Sequence, residues 1–172
     1  MNIEWHIILL GSVLLTMSYA ENDVILMDDF SPSEFTGRWY ILQRTDSIYN
    51  DTASCIKIDV NHKDGLIYEI SAQYKNHDGQ QRWKTLTIVD DADHPAQFYF
   101  VDDDKNNIAM SVLGTDYKNW GFSYGCLTGG AKSYGLVSRH MKLPPDYMDK
   151  VKSVMDKNNV VLPFEVIPQD NC

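Results

Sequence analysis

Basic residues are scarce in this 172-residue chain, with 15 Lys and Arg against 24 Asp and Glu and a formal net charge of −9. Neutralising phosphates takes a concentrated basic face, so nucleic acid is excluded as the main partner. Long apolar runs are missing too. The one strongly apolar stretch, Ile7 to Leu15, is too short at its centre to span a bilayer comfortably. The five histidines (His6, His62, His77, His94 and His140) are scattered and form no HxH or HxxxH pair of the kind that grips a transition metal. There is no nucleophile elbow and no phosphate-cradling glycine loop. Asp102-Asp103-Asp104 runs into Lys105 without EF-hand spacing, which makes it a solvated acidic turn rather than a calcium loop. Repeats, low-complexity tracts and linkers are absent. A hydrophobic share of 44% argues against disorder, and a chain of this length can bury a core without metal or oligomer support. The expectation is one acidic globular domain.

The N-terminus sets the compartment. Ile7–Leu15 is followed by Ser18-Tyr19-Ala20, a small-x-small cleavage pattern, and then by polar Glu21-Asn22-Asp23. Residues 1–20 therefore read as a secretory signal peptide and 21–172 as the mature domain, although the leading segment has Glu4 and His6 and no Lys or Arg. Secretion permits disulfides. With three cysteines, Cys55, Cys126 and Cys172, one pair at most forms within the chain. A bridge to the terminal Cys172 would staple a tail that otherwise frays. Asn50-Asp51-Thr52 is the single N-glycosylation sequon, between two strand-like runs where a surface loop is expected.

From Gly37 to His140 no long helical period occurs. Short runs rich in β-branched and aromatic residues alternate with turn signals such as Lys63-Asp64-Gly65, His77-Asp78-Gly79 and Gly129-Gly130. The runs are Trp39–Thr45, Cys55–Val60, Leu66–Tyr74, Trp83–Val89, Gln97–Val101, Ile108–Leu113, Trp120–Cys126 and Ser133–Arg139. Eight strands on short connections predict an all-β fold, an antiparallel up-and-down meander closed into a barrel that leaves no exposed edge. Pro144-Pro145 then opens one helix whose stripe is Tyr147, Val151 and Val154, and Asn158-Asn159 offers a left-handed stop. An extended piece, Val160–Ile167, leads to Cys172.

Three local motifs fall in order along this layout. Gly37-Arg38-Trp39-Tyr40 opens the first strand, Thr115-Asp116-Tyr117 follows the sixth, and Arg139 ends the eighth. Together with an eight-strand meander and one late helix they resemble the lipocalin family. SCIKI, GTDYKNWGFSYGC and LPPDYMDKVKSVMDKNNV ending in QDNC make it similar to the branch of apolipoprotein D and the insect bilin-binding, insecticyanin-like proteins. The resemblance runs from about Phe30 to Cys172. It implies a calyx closed at one end, with Trp39 packed at the base and Arg139 lying across it, a guanidinium shielding an indole. It also implies a Cys55–Cys172 disulfide. The branch's second bridge joins a cysteine upstream of Gly37, and none exists there, so Cys126 is an odd thiol, expected to be buried and inert or else to pair with another chain.

Alternation assigns the faces. If Cys55 points outward to the tail, Ile56, Ile58 and Val60 point inward. On the third strand Leu66, Tyr68, Ile70, Ala72 and Tyr74 form the apolar set. Leu86 pairs with Ile88 on one face, with Lys84 beside them if that face is inward, and Phe98 pairs with Phe100. Arg139 reaching Trp39 turns Val137 and Gly135 inward and sends Tyr134 and Leu136 out. On the seventh strand Trp120, Phe122 and Tyr124 need cover from the helix, while Gly121, Ser123 and Gly125 leave interior room. No other charged residue is placed inside above Arg139.

An eight-stranded barrel either fills itself with side chains or holds one small ligand. The lipocalin resemblance implies the second. The expected function is a secreted, non-enzymatic, monomeric or weakly dimeric carrier of one small hydrophobic molecule: a bilin, retinoid, carotenoid, sterol or fatty acid. No cofactor is required beyond such a bound chromophore or lipid, and no metal is expected. Two alternatives stay open. One is catalysis of the prostaglandin D synthase kind, which uses a cavity-facing thiol on the second strand near the position of Cys55. The other is a ligand-free interaction protein. Membrane or receptor contact is not specified by the sequence.

Overall fold

The computed structural model describes residues 24–45, 52–101, 108–126, 132–161 and 163–172. The expected signal peptide and the Asn50 sequon lie outside the described residues. Within them nine strands and one helix follow in the order β1 (Gly37–Arg44), β2 (Thr52–Asp64), β3 (Ile67–Asn76), β4 (Gln81–Asp90), β5 (Gln97–Val101), β6 (Ile108–Thr115), β7 (Trp120–Cys126), β8 (Lys132–Ser138), α1 (Pro145–Lys157) and β9 (Glu165–Val166). Strands β1 to β8 form an antiparallel meander. It closes because β1 pairs with both β8 and β2, so each of the eight strands has a neighbour on both sides.

The closure is shared with the C-terminal tail. β1 meets β2 only over Gly37 to Tyr40. Above that point the tail enters the seam: β9 pairs with Gln43 and Arg44, and the Ile167 amide donates to the Leu42 carbonyl at 2.9 Å. The Cys55 amide donates to the Pro168 carbonyl at 2.8 Å, and Gln169 Nε2 donates to the carbonyls of Ile41 and Ile56 at 2.8 and 3.3 Å. Ile167 and Gln169 are both buried. Cys55 and Cys172 are bonded, across 117 residues of sequence. The disulfide therefore fastens a segment that completes the wall, which is more than pinning a loose end.

α1 packs outside the barrel. Proline begins it because a first-turn N–H has no intrahelical partner to lose. It stops where Asn158 Nδ2 caps the Val154 carbonyl at 3.0 Å and Asn159 takes φ +53°. Val151 is fully buried on Trp120, Phe122, Tyr124 and Leu136, with Tyr147 and Val154 beside it. Gly114 makes the close approach possible, since a Cβ there would come within 2.8 Å of the Val154 side chain.

Candidate functional site

The barrel floor is built first. The chain leaves the end of α1, where the Ile25 amide donates to Asn158 Oδ1 at 2.6 Å, and residues 27–36 lead to the floor, held by the Met27 amide on the Val112 carbonyl (3.1 Å) and the Ser31 amide on the Tyr117 hydroxyl (2.9 Å). Trp39 is wholly buried. Phe35 stacks on one face of its indole at 4.5 Å between centroids, and the Arg139 guanidinium lies 3.6 Å over the ring. Trp39 Nε1 donates to the Phe35 carbonyl at 2.8 Å. Arg139 donates to the carbonyls of Tyr117, Arg38 and Thr36 at 3.1, 2.7 and 2.8 Å. Gly37 has φ +92°, and a Cβ there would meet Arg139 Nη1 at 3.2 Å. That explains why glycine stands two residues before the tryptophan.

Thr115, Asp116 and Tyr117 form the turn between β6 and β7. The Asp116 carboxylate accepts from the amides of Lys118, Asn119 and Trp120 and from Asn119 Nδ2. Burial pushes this carboxyl up, but those donors outweigh burial and hold it below its ordinary range. Tyr117 takes φ +62° and turns its carbonyl to Arg139. The two short motifs and the late arginine are thus one hydrogen-bonded assembly.

Above the floor lies a cavity of about 240 Å³. The structure puts Ile56, Ile58 and Val60 of β2, Tyr68, Ile70, Ala72 and Tyr74 of β3, and Leu86 and Ile88 of β4 on its wall, with Phe98 and Phe100 of β5 and Val137 of β8. Ser123, Gly125 and Gly135 also line it. At the end opposite Trp39, β3 and β4 are joined by the Asn76–Gln81 turn, and residues 46–51, 102–107 and 127–131 lie outside the described residues.

Several expectations are corrected. Leu66 precedes β3 and is exposed rather than inward. Gly121 leaves no room for a ligand, because a Cβ there would meet both Phe35 and Val137 at 3.0 Å. Its missing side chain makes space for the floor. Tyr134 packs in the cluster under the helix as expected, yet also touches the cavity. Cys126 is half-buried and free, not buried. Lys84 lines the cavity with Leu86, as the alternation allowed, and Arg44, which was not placed inside, lines it as well.

Arg44 was hidden by a bulge. Ile41 stands opposite Val137 and Gln43 opposite Leu136, so Leu42 is an extra residue in β1. One extra residue reverses the alternation: Trp39 and Ile41 face in, and after the bulge Arg44 does. Ile41 and Ser133 follow from alternation once Trp39 and Val137 are placed inside. Pro32 and Phe35 have no such signal, because they precede the first strand.

A buried carboxylate ends β4, outside the cavity lining. Asp90 stands in register with Phe98, is 8% exposed, and its Oδ1 has no hydrogen-bond partner. Burial, partly offset by the Asp91 amide and reinforced by the Asp91 charge, pushes it up to about 6. Among the described residues no three His, Cys, Asp or Glu are grouped to hold a metal, and no helix is long and apolar enough to cross a membrane.

A closed eight-stranded antiparallel barrel with an appended strand, a tryptophan–arginine floor and one outer helix is the lipocalin fold. Solved structures share it. Lobster apocrustacyanin A1 superposes with a TM-score of 0.68 at 18% identity, over 81% of this chain and 79% of its own. Apocrustacyanin C2 gives 0.68 at 20%, over 80% and 79%. The cockroach major allergen Per a 4 gives 0.71 at 18%, over 84% of this chain and 92% of its own. No family model and no curated protein sequence matches the chain.

Proposed function

We propose that this chain is a secreted member of the lipocalin family that carries one small hydrophobic molecule in the barrel cavity. The observation that carries the reading is the cavity above a fully packed floor. A barrel with enough side chain to seal one end yet glycine, alanine and serine on its upper wall has left space it could have filled. The twelve wall residues from β2, β3, β4, β5 and β8 are the proposed ligand contacts. A ligand burying about 300 Å² of apolar surface gains roughly 7 kcal/mol by transfer, and association costs reduce this to about micromolar affinity. Secretion is supported by the Ile7–Ala20 pattern and by a disulfide of the kind that oxidising compartments allow.

The thiol-catalysis alternative needs a thiolate at Cys55, and the sulfur there is bonded to Cys172. Titrating the purified protein with an environment-sensitive apolar probe tests the carrier reading. Saturable uptake of one probe per chain is expected, abolished by Ala72→Trp with the barrel still folded. Absence of uptake by the wild type would leave a ligand-free interaction protein.

A further inference from the structure

We propose that residues 165–172 are a latched strap in the cavity wall, and that reducing the Cys55–Cys172 bond frees the strap and opens a side port between β1 and β2 through which the ligand leaves. This rests on the carrier reading and adds the regulation of the same site.

The backbone sets the port. β1 and β2 pair directly only as far as Tyr40 and Lys57. Past that point both strands leave the regular ladder. β1 carries its extra residue at Leu42, and β2 shifts register between Ser54 and Lys57, with Cys55 at φ +56°. A residue in the left-handed region interrupts an extended strand, so β1 and β2 do not zip together above Tyr40. The strap stands between them instead, bonded to β1 through the Ile167 amide and to β2 through the Pro168 carbonyl. Neighbouring strands lie about 4.8 Å apart, so this stave holds β1 and β2 about 10 Å apart and its departure leaves a slot one strand wide.

The slot opens on the cavity. Ile167, 2% exposed, packs on Ile41, Ile56 and Tyr74, and all three line the cavity. Along 163–172 only Ile167 and Gln169 are buried. Glu165 pairs with Arg44, and Asp170 and the Asn171 carbonyl meet Lys142 and Lys75 at the surface. Upstream, Phe164 packs against Phe122 in the cluster under the helix, which makes it the hinge. At the other end Cys172 is exposed and Cys55 is buried, so a reductant meets the latch from the Cys172 side.

Unlatching is thiol–disulfide exchange with a dithiol. A dithiol thiolate attacks Cys172 Sγ, the bond to Cys55 breaks, and Cys55 leaves as a thiolate that takes up a proton. The dithiol's second thiolate then displaces Cys172 from the mixed disulfide. The dithiol is thereby oxidised by two electrons to a cyclic disulfide, and both cysteines end as thiols.

The test loads the protein with the apolar fluorophore N-phenyl-1-naphthylamine and times its release on dilution, with and without dithiothreitol. The reductant should speed release about tenfold. Cys172→Ser should release at the faster rate in either condition. Val151→Ala weakens the helix seam away from the strap and should keep the slow release, which separates an open port from a loss of stability. Hydrogen exchange on the reduced wild type decides the matter even where Cys172→Ser does not fold: the Ile167 and Cys55 amides should lose protection while those of Val112 and Arg139 keep it. Loss of protection throughout the barrel, or fast release from Val151→Ala, overturns the inference. Equal release with the bond intact and reduced overturns it too, and the carrier stands. If the fluorophore does not bind at all, both fail.

Discussion

The floor of the barrel and its upper wall are made from the same eight strands, yet they solve opposite problems. At the floor Trp39 is enclosed by Phe35 and Arg139, and the polar atoms of both Trp39 and Arg139 are bonded to main-chain carbonyls. At the upper wall Gly125, Gly135, Ser123 and Ser133 leave space, with Arg44 beside it. Even glycine changes meaning between them. Gly37 and Gly121 are small so that the floor can close, and Gly125 is small so that the cavity can stay open. One end is packed shut, and the other is left with space.

Breaking the floor should have the largest effect. Trp39→Ala removes a fully buried indole, its hydrogen bond and two stacking partners, and should cost about 4 kcal/mol in chemical denaturation. Removing the Cys55–Cys172 bond by Cys172→Ser frees a long loop and unfastens the seam between β1 and β2. A loss of about 3 kcal/mol is expected, with early hydrogen exchange at the Ile167 amide.

Asp90 sharpens the comparison, because it is buried at the end of β4 with one carboxylate oxygen unpaired. Its folded pKa is raised to about 6 from 3.8. The folded state thus favours the protonated form. The cost is absent below about pH 4, grows as pH rises through 6, and reaches roughly 3 kcal/mol above it. Asp90→Asn should accordingly gain about 2–3 kcal/mol at pH 7.5 and little at pH 4, and its stability should depend less on pH than the wild type's. Melting both proteins across that range is the check. The smallest effect is reserved for the wall itself. Ala72→Trp should fill the cavity with a stability change of about 1 kcal/mol or less, while weakening uptake of an apolar probe by at least about tenfold.

Much of this architecture was legible in the sequence, and the reason is period two. Where a strand runs without interruption, as in Tyr68 to Tyr74 or Leu86 and Ile88, alternation alone assigns the face. Where an extra residue enters, alternation misleads, and Leu42 hid the inward Arg44 in this way. The floor was only half legible. Trp39 and Arg139 carried a motif, but Phe35 comes from an irregular segment, and nothing in its spacing says that it would stack on Trp39 and occupy the space above Gly121. The role of the tail was legible as a disulfide through family resemblance. Its work as part of the wall depends on main-chain bonds from Ile167 and Gln169, which no side-chain pattern encodes.

The central claim is that the space above Trp39 exists for a ligand. Native mass spectrometry of the protein purified from its own source, with an absorbance spectrum of the same sample, tests it most directly. The account predicts one apolar molecule per chain, lost on denaturation and replaced stoichiometrically when an apolar probe is added to the stripped protein. A bare chain mass, together with no uptake of the probe, would contradict it.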